Sequence, residues 1–145
     1  VGRPNVGKSS LVNRILGVVL IVGGAVTALY WWSYFNAGDV MVSHERWYTA
    51  FENAFPFADG WMALCMAGAG VGLVQNRAWG PALGLLAGSA LIFLTAMDVT
   101  FNIQNNLYAL AATNDAMQAE IAINVATAVL GAWTIAACWP RYRAG

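Results

Sequence analysis

Four stretches of this chain stay apolar for too long to fold as ordinary amphipathic helices in water. A hydrocarbon core of ~30 Å is crossed by about 20 helical residues. Runs of that kind cover residues 15–35, 57–74, 79–101 and 119–139. The first holds no charge, whereas Asp59, Asp98 and Glu120 each fall near one end of the other three. The period-2 alternation of a membrane barrel is absent, so the segments read as helices. The expected fold is therefore all-α: a four-helix transmembrane bundle over residues 15–139, followed by a cytoplasmic tail at 140–145.

Composition narrows the function classes. Only 10% of the residues are charged and 59% are hydrophobic, against about 25% charged in a soluble domain. Seven basic and seven acidic side chains leave no net charge. A soluble enzyme, a disordered tail and a generally basic nucleic-acid binder are excluded. The expected partner is the lipid bilayer, with no nucleic acid.

Four spans put both termini on one side of the membrane. Arg3, Lys8, Arg14, Arg77, Arg141 and Arg143 fall on that side, and Arg46 alone falls on the other. This bias predicts both termini in the cytoplasm. The acids Asp39, Glu45, Glu52, Asp59, Asp98, Asp115 and Glu120 gather in or beside the two outer loops. Trp31, Trp32, Tyr34 and Phe35 read as an outer aromatic belt, and Trp79 and Trp139 as its inner counterpart.

The loops carry their own signals. Ser43 is placed to cap a short helix, and Trp47, Tyr48, Phe51 and Phe55 then fall near one face. That predicts an interfacial helix near residues 43–55. Asp115-Ala116-Met117-Gln118 resembles a capping box opening the last span. Gly80, Gly84 and Gly88 form a stripe of small residues in the third span. The stripe suits packing within the bundle or a homo-oligomer through the same face. Cys65 and Cys138 lie towards opposite ends of the spans, which argues against a disulfide, and no Cys-x-x-Cys is present.

Residues 2–9 read Gly-Arg-Pro-Asn-Val-Gly-Lys-Ser, a full match to the phosphate-binding loop Gly-x-x-x-x-Gly-Lys-Ser. The longer string over residues 1–17, VGRPNVGKSSLVNRILG, resembles the start of an Era/Der-type (TrmE–Era–EngA) GTPase domain. The resemblance implies that Gly2, Asn5, Gly7, Lys8 and Ser9 bind nucleotide. GTP and Mg²⁺ are implied as cofactors only if this loop functions. Beyond Gly17 the pattern stops. No Asp is followed three positions later by Gly, and Lys8 is the only lysine, so no Asn-Lys-x-Asp exists. GTP hydrolysis is therefore not expected. Residues 1–17 read as a truncated phosphate-loop fragment joined to the membrane part by fusion or by a gene-model artefact. Residues 18–145, through "FENAFPFADGW" and "GLLAGSALIFLTAMD", resemble small four-span membrane proteins of bacteria. That resemblance implies the bacterial cytoplasmic membrane and no particular activity.

The remaining chemistry lies at the outer end. Asp98, Asn102 and Asn105 share one helical face by spacing. At a rise of about 1.5 Å per residue, Asp98 stands roughly 29 Å from Trp79, near the outer interface. Glu52, Asp59, Asp98, Asn102 and Asn105 form a candidate polar pocket for a cation, a proton or a small polar ligand. Each also has a simpler role: Asp59 beside a helix dipole, Asp98 bonded across the bundle or paired with Arg46, Glu52 solvated. Asp115 and Glu120 read as helix-start acids. With one histidine in a loop, no catalytic triad can be assembled, and the oxygen ligands of the pocket would suit Mg²⁺ or Ca²⁺ better than zinc. No catalytic and no metal-ligating residues are assigned. The leading expectation is a non-enzymatic membrane protein with a structural or partner-binding role. The alternatives are small-solute or cation binding or transport through the acidic cluster, and GTP binding by the N-terminal loop.

Overall fold

The computed structural model describes residues 6–37 and 40–144, with side chains from residue 11 onward. Among the described residues five α-helices follow one another: α1 (Val6–Asn36), α2 (Arg46–Glu52), α3 (Phe55–Val74), α4 (Gly80–Gln104) and α5 (Asp115–Tyr142). A 3₁₀ helix, η1 (Leu107–Ala112), lies between α4 and α5. No strand occurs among the described residues. Four helical stretches among the described residues are long and apolar enough to cross a membrane. Gly2 and Asn5 lie outside the described residues. Gly7, Lys8 and Ser9 lie in the first turns of α1, and their side chains are outside the description.

The helix ends follow from local chemistry. Pro56 and Pro81 sit in the first turns of α3 and α4, where a missing N–H costs nothing and the fixed φ suits a helix. The α3–α4 turn closes on Asn76, at φ 55°. The Asn76 N–H donates to Leu73 O and the Arg77 N–H to Gly72 O, the paired bonds of a Schellman ending. Two caps differ from the sequence expectation. Asn114, not Asp115, caps α5, its side-chain oxygen accepting from the Met117 N–H at 3.0 Å. Helix α2 starts after Glu45, without a side-chain cap, and Ser43 Oγ accepts the Glu45 N–H instead.

The helices pack in chain order, α1 on α3, α3 on α4 and α4 on α5. Backbone approach at glycines sets the first two contacts. A Cβ on Gly70 would stand 2.5 Å from the Gly17 carbonyl oxygen, and one on Gly72 would stand 2.5 Å from the Gly80 Cα. Helix α1 crosses the Gly17–Val18 boundary unbroken, and Leu16 beside it is fully buried. Gly84 and Gly88 face Cys138, Ile135 and Gly131 of α5. The whole Gly80/Gly84/Gly88 stripe is thus filled by the chain's own helices.

Leu16, Leu20, Met62, Met66, Ala69, Leu73 and Leu91 form the main core with Cys65 and Cys138, both free thiols. The aromatic belt divides in two. Trp32 and Phe35 are exposed, as a belt requires, but Trp31 and Tyr34 are buried against Phe55. The two ends of the molecule differ in charge. Arg14, Arg77, Arg141 and Arg143 lie at the end holding the α3–α4 turn, where Arg141 Nη2 reaches Asn76 Oδ1 at 3.5 Å. Helices α2 and η1 mark the opposite, acidic end.

Candidate functional site

The acidic end of the α4–α5 pair is built from one short pattern used twice. Asp98-Val-Thr-Phe-Asn102 on α4 and Glu120-Ile-Ala-Ile-Asn124 on α5 both read acid-x-x-x-Asn. Residues four apart lie on one face of a helix. Because α4 and α5 run antiparallel, each acid meets the asparagine of the other helix. Asn124 Nδ2 donates to Asp98 Oδ2 at 2.6 Å. Asn102 Nδ2 donates to Glu120 Oε1. One turn further along, the Thr95 and Thr127 hydroxyls meet at 2.7 Å.

Helix α2 covers this ladder. Tyr48, fully buried, donates its hydroxyl to Glu120 Oε2 at 3.2 Å. Phe51 stacks on Phe101 with ring centroids 3.6 Å apart and planes at 4°. That stacking holds the C-terminal end of α2 against α4. Glu52 follows it into the interior, only 7% exposed, within electrostatic reach of Asp98, Glu120 and Asp59. Asp59 is tied from the other side by Trp31 Nε1, which donates to its Oδ2 at 2.8 Å. The Tyr108 phenol of η1 lies beside the Asn102 amide. Burial, with the Asp98 and Glu120 charges nearby, pushes that phenol up, so it remains a neutral hydroxyl.

Of the candidate polar residues, Glu52, Asp98 and Asn102 therefore lie together. Asp59 stands at the edge of the group, bound to Trp31. Asn105 lies outside it: α4 ends at Gln104, and the exposed Asn105 side chain turns back to donate to Phe101 O. Glu120, read from sequence as a helix-start acid, sits at the centre. Tyr48, read from sequence only as part of the aromatic face of α2, joins it, as do Tyr108 and Asn124, which the sequence did not single out. The signal that could have found Glu120 and Asn124 is the repeated acid-x-x-x-Asn pattern on consecutive spans. Arg46 is exposed, and Asp98 takes its hydrogen bond across the helix pair from Asn124.

The hydrogen-bond balance of this group is uneven. Asn102 is fully buried and its Oδ1 has no partner among the described residues, a state that costs about 1–3 kcal/mol. The surroundings are rich in oxygen: the carboxyl groups of Glu52, Asp98 and Glu120 as well as that amide oxygen. Among the described residues no three carboxylate, thiol or imidazole groups stand close enough to hold one metal ion. The geometry suits a guest that brings N–H or O–H donors and positive charge, rather than a compact divalent ion that needs six or more oxygens around it.

Comparison with known proteins returns one family. A model of the 50S ribosome-binding GTPases matches residues 1–27, extending past Gly17 into the apolar part of α1. No curated protein and no solved structure matches the chain.

Proposed function

We propose that this chain is a non-catalytic integral membrane protein that binds a small protonated amine in the acid–amide cluster between α4, α5 and α2. The observation that carries this reading is the Oδ1 of buried Asn102, without a partner among the described residues and set among acidic side chains. An ammonium group supplies both missing elements, directed N–H donors and a positive charge. The bias of Arg and Lys towards the opposite end supports an outward-facing cluster, with both termini in the cytoplasm. The test is thermal melting of the detergent-solubilised protein against methylammonium chloride. Sodium chloride and tetramethylammonium chloride at equal ionic strength are the controls, the latter a cation without N–H. A saturable rise in Tm with methylammonium alone, lost in Asn102→Leu, is expected. Equal responses to all three salts return the chain to a structural or partner-binding role.

A second reading rests on the GTPase family match over residues 1–27, with Lys8 and Ser9 as the groups that would meet phosphate and Mg²⁺. A phosphate loop is ordinarily held by a preceding strand of a parallel sheet, and no strand occurs among the described residues. GTP binding by the purified protein, set against Lys8→Ala, decides it. Saturable Lys8-dependent binding makes the chain a nucleotide-responsive membrane protein.

A further inference from the structure

We infer that the amine taken by this cluster is amphipathic, and that its alkyl chain lies in the groove between α4, α5 and η1. This rests on the reading of the cluster as an amine site and names the class of amine. The groove measures about 350 Å³. Its walls are Val99 of α4, Ala111 of η1, and Ile121, Val125 and Ala128 of α5. Val125 is 60% exposed, so the groove opens on the flank of the helix pair that faces lipid.

Three polar side chains line the groove, Thr95, Asn124 and Tyr108, and the last two touch the acid–amide cluster. Asn124 lines the groove and donates to Asp98 Oδ2 at 2.6 Å. Tyr108 lines it too, and lies beside Asn102. A guest in the groove is therefore one side chain away from the Asp98 carboxyl group, through Asn124, and from the Asn102 amide, through Tyr108. A second groove of about 360 Å³ lies around Phe93, Met97 and Phe101. None of the acids or amides of the cluster lines it, so it offers an alkyl chain no place for a charged head. Apolar walls leading to buried acceptors call for a ligand with one apolar and one cationic end. A chain of about six carbons is within the reach of a cavity of this size.

The experiment titrates methyl-, butyl- and hexylammonium, with 1-hexanol as the uncharged control, into wild type, Val125→Trp and Ala128→Leu. The apparent Kd is read from the Tm shift of the full chain in detergent. In wild type the Kd should fall roughly three- to four-fold per added methylene. Hexanol should show no saturable effect. Both variants should return hexylammonium to the affinity of methylammonium while methylammonium binding is unchanged. Val125→Trp alters an exposed position, so the fold does not depend on it. Methylammonium binding with no gain along the series overturns the groove and leaves the amine site standing. Absence of binding by every amine overturns both. A hexanol response equal to that of hexylammonium also overturns the inference, since the groove would then bind alkyl chains without regard to charge.

Discussion

The α4–α5 interface changes character along its length. Towards the basic end Gly84 and Gly88 meet Cys138, Ile135 and Gly131, and the helices touch through small surfaces and backbone. Towards the acidic end the same two helices meet through Thr95–Thr127, Asp98–Asn124 and Asn102–Glu120. In the first half the contact is specified by shape, and an added atom is the damaging change. In the second half it is specified by complementary donors and acceptors, and a removed partner is the damaging change. Lipid offers no hydrophobic drive between spans, so a membrane protein has these two means of choosing a helix partner.

Substitutions on each side of that divide should separate the two mechanisms. The largest effect is expected from packing. Gly70→Leu forces a side chain against the Gly17 carbonyl oxygen and Ile21, and should cost about 3 kcal/mol. Loss of a monodisperse peak in detergent chromatography, or a steep fall in Tm, is the measurement. A tolerated Gly70→Leu would mean that α1 and α3 are not locked backbone to backbone.

Next comes Glu120→Leu, which strands the Asn102 amide and the Tyr48 hydroxyl together. A loss of about 2 kcal/mol is expected, read by thermal or denaturant unfolding. The reciprocal geometry allows a sharper version. Asp98→Asn and Asn124→Asp should each destabilise alone. The double variant exchanges acid and amide across the interface and should recover much of the loss. A coupling of about 1 kcal/mol in the double-mutant cycle marks a direct pair; strict additivity would show that the two side chains act apart. The smallest effect is Thr95→Val, which removes one hydroxyl contact with Thr127 and should cost about 0.6 kcal/mol, the mean for polar contacts between spans.

The spans were legible because apolar length is a property of consecutive residues. Each observed helix extends beyond its apolar run: α5 begins at Asp115 rather than near Ala119, since a polar turn can be helical without being apolar. The short helix α2 was legible from its aromatic spacing, although Ser43 bonds the Glu45 N–H instead of capping it. The site was legible only in part. Asp98 and Asn102 follow from spacing on one helix. Glu120 did not, because an acid in the first turns of a helix already has an adequate explanation in the helix dipole. Only the partner across the interface gives it another role. Trp31 was missed for the same reason: a tryptophan at an interface needs no partner, yet this one is buried and donates to Asp59. Asn105 was misplaced because the face argument assumes that the helix continues, and α4 stops one residue short of it.

The reciprocal ladder also acts as a ruler for assembly. Sliding α5 by one turn in one direction would set Glu120 opposite Asp98, carboxylate against carboxylate. Sliding it the other way would leave Asp98 facing the methyl group of Ala128 and both asparagines facing each other. Neither misalignment keeps an acid with an amide. A hairpin with only small residues along its seam could settle at several offsets a turn apart. Here two crossed pairs at one end make a single offset the lowest in energy, so the position at which the last two spans lock is written in two acids and two asparagines.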